Sequence, residues 1–173
     1  MKKITWKIPK EYYDYFETLY KENQNVKVAI DVMVENIVGG GFEIVPSAEG
    51  QEEIVEEIKK FNERIELPRL LFEIVKDMLV YGNAFFETVL EDGKGITKVK
   101  HHHPKTISIV TDTDGNIVEF LKVEDDKVIH RFEVNKMAHF SNSSKKGPYG
   151  RSQIELLIPS LKKESDLKDI PEL

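Results

Sequence analysis

Apolar residues recur with a helical period up to residue 81 and with a period of two beyond it. Four segments have apolar side chains at every third or fourth position, the spacing that predicts amphipathic helices; they are residues 10–20, 25–38, 51–62 and 67–81. Each helix is expected to turn its apolar stripe inward, including Ile54, Ile58 and Phe61 on the third. The glycine run 39–41 and Gly82 are placed to end the second and fourth helices.

The period-two segments predict strands. They cover residues 84–90, 96–100, 106–110, 117–123 and 128–134, with a last short apolar segment at 137–140. The Asp114-Gly115 turn and the charged turn at 124–127 would join neighbouring strands as a meander. Phe42, Ile44 and Val45 predict a further short strand after the glycine run.

A final helix is predicted from Ser152, after a polar loop at 141–150. Ser152 and Glu155 have the spacing of a capping box, in which the serine accepts a hydrogen bond from the backbone N–H of Glu155. Pro159 predicts a kink or an early end of this helix, because proline removes a backbone donor and clashes with the preceding turn.

Helical and strand segments are separated along the chain, which favours an α+β fold over alternating βαβ units. We predict N-terminal helices, within residues 9–81, packed on a mostly antiparallel sheet within 84–140 and followed by the capped helix from 152. Residues 1–163 are expected to form a single domain and 164–173 a tail.

The composition narrows the functional classes. The chain has 173 residues, a formal net charge of −6 and no cysteine, which excludes disulfides, thiol nucleophiles and cysteine-ligated zinc. A generic nucleic-acid binder would be strongly basic, so any contact with DNA is expected to be local or to come from an assembly rather than from one chain. No apolar run approaches the ~20 residues that span a bilayer.

The run His101-His102-His103 is the clearest candidate for metal chemistry. On a strand, His101 and His103 share one face and His102 points to the other. A catalytic zinc site needs a third ligand, for which His130 and His139 are candidates. The competing interpretation is a polar strand end, and we predict no metal and no cofactor.

Glycines and three bases, Lys145, Lys146 and Arg151, lie close to the predicted helix start. Free N–H groups at a helix N-terminus together with basic side chains suit an anion or a carboxylate of a partner. The alternative is a loop that needs glycine to turn sharply, and both interpretations stay open. We expect Tyr149, Gly150, Arg151 and Ser152 to form an assembly or partner contact, with Arg151 exposed.

Catalytic motifs are absent from the sequence. It contains no Gly-x-Ser-x-Gly elbow, Walker loop or HExxH motif, and its acidic clusters fall on exposed faces or turns. We therefore predict that the protein is not an enzyme.

Several short motifs, in this order and spacing over residues 26–157, resemble the portal protein (head–tail connector) family of tailed double-stranded-DNA viruses. The helix ending in Val38-Gly39-Gly40-Gly41-Phe42-Glu43-Ile44 resembles the glycine-rich turn of the family. Residues 79–87 (LVYGNAFFE) resemble its "YGNAF-x-E" junction, and residues 148–155 (PYGRSQIE) its "YG-x-S-x-I/L-E" helix start. Three smaller motifs agree with it: His103-Pro104-Lys105-Thr106-Ile107, Asp114-Gly115-Asn116-Ile117 and Met137-Ala138-His139-Phe140.

The resemblance implies the outer wing region of a ring subunit at one capsid vertex. Family members form rings, usually dodecamers, through which double-stranded DNA is packaged and ejected. The resemblance implies capsid protein, terminase and tail-adaptor proteins as partners, no membrane, and assembly into the virion in the host cytoplasm.

The family continues after this helix start into a long stem helix, a clip and a return helix, whereas this sequence ends at Leu173. Residues that line the channel or dock terminase therefore cannot be assigned here. The sequence is expected to be a fragment of a portal or a shortened provirus-derived gene. The alternative functions are an interaction protein without a pore and a metal-dependent enzyme that uses His101 and His103.

Overall fold

The computed structural model of the protein describes residues 2–93, 95–142 and 147–164. Within them lie five α-helices: α1 (Lys10–Glu22), α2 (Gln24–Val38), α3 (Glu52–Arg64), α4 (Leu67–Tyr81) and α5 (Gln153–Glu164). All five were predicted, and α4 has the predicted bounds. Pro159 lies inside α5, so of the two predicted outcomes, a kink or an early end, the early end is wrong. Glu164 still belongs to α5, and the remainder of the predicted tail, 165–173, lies outside the described residues.

The described strands are β1 (Ile4–Trp6), β2 (Asn83–Glu91), β3 (Gly95–His102), β4 (Ile107–Thr111), β5 (Ile117–Glu124), β6 (Lys127–Phe132) and β7 (Met137–Ser141). The predicted strand at 42–45 is wrong, since these residues have no regular secondary structure. Phe42 and Val45 are exposed, and an isolated extended segment without a partner strand has no ladder to stabilise it. β1, which sequence analysis missed, forms because it pairs with β4.

The strands form two sheets, not the single sheet that the sequence predicted. One has the order β1-β4-β5-β6 and the other β3-β2-β7. Each described strand pair is antiparallel, which confirms the predicted strand direction. The meander prediction holds for β4-β5-β6, but β7 returns to pair with β2.

The sheet β3-β2-β7 is covered on both faces. Phe85 packs towards the other sheet, in a cluster with Ile109 and Phe120. Ala84 and Phe86 point the opposite way, towards α4. Because side chains alternate along a strand, β2 connects the helical layer to the second sheet and is buried at its beginning.

A separate core joins α1, α2, α4 and α5, with Ile30 of α2 and Ile154 of α5 fully buried. Helix α3 stays outside this core: none of its residues is buried. The prediction that Ile54 and Ile58 point inward is wrong, because these side chains are 55% and 41% exposed.

Replacing Ile30 with Ala should test the helical core. We expect a loss of about 2–5 kcal/mol in the free energy of unfolding, from the lost apolar burial and the cavity left behind. Val28→Ala, at an exposed position of the same helix, is the matched control and should change stability by much less. Chemical denaturation measures both, and equal losses would contradict this account of the core.

Candidate functional site

The sequence-predicted site, residues 149–152, lies where the chain enters α5 and touches the α4–β2 connection. We call the contact between Gly82, Asn83, Asn142 and residues 149–152 the junction. The Asn142 N–H donates to the Gly82 carbonyl at 2.9 Å, and the Arg151 N–H donates to the Asn142 carbonyl at 2.7 Å. The junction thus continues the β2–β7 ladder into the segment that leads to α5.

Asn83 is the central side chain of the junction and is fully buried. Its Oδ1 accepts hydrogen bonds from the Gly150 N–H at 2.8 Å and from the His139 Nε2–H at 3.1 Å. Its Nδ2 donates to the Tyr81 carbonyl at 3.2 Å, with the Gly150 carbonyl at 3.4 Å. One amide side chain therefore satisfies backbone groups of two segments that are far apart in sequence.

Gly150 is required because of close approach. A Cβ at this position would collide with the Gly82 carbonyl oxygen and the Asn142 nitrogen, both backbone atoms. Gly82 is doubly constrained: its φ is +79°, and a Cβ there would lie 2.6 Å from the Gly150 carbonyl oxygen. Gly82 also ends α4 as predicted, with its N–H bonded to the Met78 carbonyl.

Ser152 fastens the start of α5 to the end of α4. Its Oγ is 2.6 Å from the Val80 carbonyl, to which it donates, and accepts from the Ile154 N–H at 3.1 Å. The predicted capping box is wrong in its partners, because the serine contacts Ile154 and the Glu155 carboxylate binds the Arg151 guanidinium at 2.8 Å. Ser152 is buried. Its hydroxyl therefore takes the place of water as the hydrogen-bond partner of the last turn of α4 and of the first turn of α5.

Tyr149 joins the same segment to the other sheet. Its hydroxyl accepts from the Ile109 N–H at 3.1 Å and lies 3.0 Å from the Trp6 carbonyl and 3.2 Å from the Ile107 carbonyl. The β1–β4 ladder ends at the pair formed by Trp6 and Ile109. The Tyr149 hydroxyl therefore provides hydrogen bonds to backbone groups at and next to the end of this ladder. Burial raises the pKa of Tyr149, which keeps the hydroxyl a donor.

The anion site, one of the two interpretations of the loop before α5, cannot be assembled from the described residues. Lys145 and Lys146 lie outside them, Arg151 is bonded to Glu155, and the Ile154 N–H at the start of α5 is occupied by Ser152. The side chain of Arg151 is 37% exposed, and its role as a partner contact stays a prediction.

The histidine run divides between two faces as predicted, with His101 and His102 at the end of β3 and His103 directly after it. The His101 Nε2 lies 2.6 Å from the Asp77 carboxylate and the His103 Nε2 lies 3.1 Å from the Tyr81 hydroxyl, both on α4. His102 faces the other way, 3.1 Å from the Glu87 carboxylate. The hydrogen bond to Asp77 raises the pKa of His101, whereas burial lowers the pKa of His102 and of His103.

These contacts give the histidines separate partners. No group of three or more His, Asp or Glu side chains that could hold a metal ion occurs in the part of the chain that the structure describes. His139, proposed as a third ligand, is bonded to Asn83 and stacks on Phe85 with ring centroids 4.6 Å apart. The geometry therefore favours the structural interpretation of the histidine run.

Sequence reasoning missed Asn83, Asn142 and His139 as members of the site. A signal existed for Asn83, because it is a polar residue between two apolar runs, where an unpaired amide would be costly to bury. Asn142 gave no such signal, since its role depends on backbone groups supplied by Gly82 and Arg151.

Comparison with solved structures shows where this fold occurs. A chain in the virion of the native gene transfer agent (GTA) particle matches with a TM-score of 0.72 at 13% sequence identity. Chains in the neck of the empty GTA particle, computed with C6 symmetry, and in the neck of the native particle, computed with C12 symmetry, match with a TM-score of 0.71 at 14% and 13% identity. The protein shares the fold of these chains.

The match covers 98% of this chain and 48%, 50% and 48% of those three chains, respectively. The protein thus spans about half the length of these structural neighbours. No protein-family model and no curated protein matches the sequence. Among the described residues, no helix has the length and apolar character needed to cross a membrane.

Gly150→Ala should destabilise the protein by about 3 kcal/mol, because the methyl group forces the α5 segment away from the β2 backbone. Gly40→Ala is the matched control, since a Cβ there meets nothing within 4 Å. Thermal and chemical denaturation measure the difference. Equal stability of the two variants would contradict the close approach at the junction.

Ser152→Ala should cost about 1–2 kcal/mol, because it removes a helix cap and leaves a buried carbonyl without its donor. Ser160→Ala, on the exposed part of the same helix, provides the control. Hydrogen exchange should show faster opening of the first turn of α5 in the first variant. Unchanged exchange there would argue against a capping role.

The half-buried His139 should make stability fall in acid. Burial lowers its pKa from 6.5 to about 4, so below pH 6.5 the unfolded chain takes up a proton that the folded chain does not. The contribution of neutral His139 to the free energy of unfolding is complete above pH 6.5. It declines by about 2–3 kcal/mol as the pH falls towards 4. His101 affects stability over a different pH range. Because its pKa is raised, its contribution to the free energy of unfolding is lost as the pH rises above 6.5.

Denaturation of wild type and His139→Gln between pH 4 and 8 isolates this group. The stability difference between the two proteins should shift in favour of the variant as the pH falls below 6.5, while exposed His130→Gln serves as the surface control. A difference that does not change with pH would show that the folded and the unfolded chain bind this proton equally well, and would contradict the lowered pKa of His139.

Proposed function

We propose that the protein is the outer wing region of a portal-type ring subunit at the head–tail connector of a phage-like particle. The observation that carries the proposal is the likeness in fold along 98% of this chain to chains of GTA virions and necks. In this role the chain is structural, and double-stranded DNA passes only through the channel of the assembled ring.

The junction supports the proposal. Residues 79–87 and 148–155 are the two longest motifs that resemble the portal family, and they are about 70 positions apart. In the fold they meet through Asn83 and Gly150 and through Ser152 and Val80. The two motifs were chosen because they resemble the portal family and not because they were known to be neighbours. Their contact in the fold therefore supports the proposal independently of the resemblance.

The outer face of α2 provides a surface suited to a neighbouring subunit. Its exposed positions include an uncharged stripe: Asn25, Val28, Ala29, Val32 and Asn36. Charged residues make up 32% of the chain, and depletion of charge is typical of the centre of protein interfaces. A heterologous contact through this stripe repeats from subunit to subunit and closes as a ring when the rotation permits.

In this role the other partners bind the assembled ring. We propose a homo-oligomer, dodecameric as in the portal family, that contacts capsid protein, terminase and tail-adaptor proteins. The location is one vertex of the virion, after assembly in the host cytoplasm. Neither catalysis, nor a metal or cofactor, nor a membrane is part of this role.

A tagged copy of the gene that encodes this chain tests the proposal. Particles are purified, the tag is labelled with gold, and the label is located by electron microscopy. We expect one labelled vertex per particle. Label distributed over the shell, or particles without label, would contradict the proposal.

Val32→Glu tests the subunit contact in the same assay. The side chain is 52% exposed, so the substitution should leave the melting temperature of the chain nearly unchanged and still prevent incorporation into particles. Val45→Glu, at another exposed apolar position, is the control and should be incorporated like wild type. Normal incorporation of Val32→Glu would remove the α2 stripe from the ring contact.

A further inference from the structure

Helix α3 carries an apolar face that the fold leaves uncovered. Ile54 and Ile58 are 55% and 41% exposed, and none of the α3 residues is buried. Such a face normally packs on another element, because an amphipathic helix gains most of its stability from burying its apolar side. Residues 39–51 connect α3 to α2 without a helix or strand, whereas only Ile65 and Glu66 separate α3 from α4.

The apolar face has the spacing of a coiled-coil seam. Ile54, Ile58, Phe61 and Ile65 follow each other at intervals of four, three and four residues, which is the d-a-d-a pattern of a heptad repeat. Phe61 and Ile65 are half-buried, and Ile65 packs at the edge of the α4–β2 cluster. The seam is therefore anchored at its C-terminal end and open at its N-terminal end.

Charge is distributed unevenly along the same helix. Four glutamates, Glu52, Glu53, Glu56 and Glu57, occupy its first half, whereas Lys59, Lys60 and Arg64 lie in its second half beside a single Glu63. A helix with this charge order attracts a copy of itself in the antiparallel direction and repels one in the parallel direction. The complementarity is thus between α3 and α3.

We infer that α3 pairs antiparallel with α3 of a second copy of this chain. In this register Ile58 packs against the partner's Phe61 and Ile54 against the partner's Ile65, and both contacts repeat by the two-fold symmetry. Glu57 and Arg64 flank the seam at equivalent g positions, which face each other in an antiparallel pair. Neither has an ion-pair partner among the described residues, and the Arg64 guanidinium lies over the ring of Phe61 in the seam, 6.0 Å from its centroid.

This pairing goes beyond the proposed ring and uses a different surface. A two-fold contact is isologous and closes at two copies, whereas ring contacts are heterologous. The pair therefore links subunits that are not yet in a ring or that belong to two facing rings. A single helix pair is smaller than the ~1,000 Å² typical of stable interfaces, so the dimer should depend on protein concentration.

Sedimentation equilibrium of the purified chain tests the pairing. We expect a monomer–dimer equilibrium in the wild type and a monomer in Ile58→Glu, whose melting temperature stays close to wild type because the position is exposed. Val128→Glu, at an exposed apolar position of β6, should dimerise like wild type. A chain that stays monomeric at high concentration, or an Ile58→Glu variant that still dimerises, would overturn the inference.

Charge exchange tests the register. Glu57→Arg and Arg64→Glu should each weaken dimerisation roughly tenfold, because each places like charges together at two symmetric sites. The double variant Glu57→Arg/Arg64→Glu should recover wild-type affinity. Failure of the double variant to recover would contradict the Glu57–Arg64 contact.

Cysteine crosslinking tests the direction, since the chain has no native cysteine. Glu57→Cys mixed with Arg64→Cys should form an intermolecular disulfide under mild oxidation, whereas Glu57→Cys alone should not. Efficient crosslinking of Glu57→Cys with itself would indicate parallel helices and overturn the inference. These outcomes leave the ring proposal untouched, because that proposal depends on the α2 stripe and on the location of the label in particles.

Discussion

The hydrogen bonds between the buried Asn83 amide and the backbone of Gly150 are the interaction on which the rest of the structure depends. A buried amide without partners is costly, and here its partners come from the end of α4, from β7 and from the segment before α5. Satisfying this one side chain therefore requires all three segments to be in place. The helices and the two sheets are consequently held in one arrangement.

Two further contacts extend this constraint outward. Ser152 connects the beginning of α5 to the last turn of α4, and Tyr149 connects the same short segment to β1 and β4. Of the four residues before α5, Ser152, Gly150 and Tyr149 thus contact a helix end, a buried strand and the edge of the other sheet, respectively. A force that acts on α5 is transmitted to the helical layer and to both sheets through hydrogen bonds between these side chains and backbone groups.

Most of the elements could be predicted from the sequence because their signals are local. Apolar periodicity located the helices and strands, and Gly82 marked a helix end that the structure confirms. Pairing is not local, so the sequence could not show that β7 returns to β2 or that β1 joins β4. The same limit explains Ile54 and Ile58: periodicity identified the apolar face of α3, but it cannot tell whether that face is covered by the same chain. The residues of the predicted site do meet at the junction, whereas its central side chain, Asn83, was missed.

The absence of space between Gly82 and Gly150 has a consequence for how such a sequence can change over time. Neither position can accept a side chain unless the opposite backbone moves, and that movement would separate Asn83 from its partners. Substitutions are therefore blocked at a few internal points and tolerated over most of the exterior. A fold specified at so few points is compatible with very different sequences, which agrees with a shared fold at 13% identity.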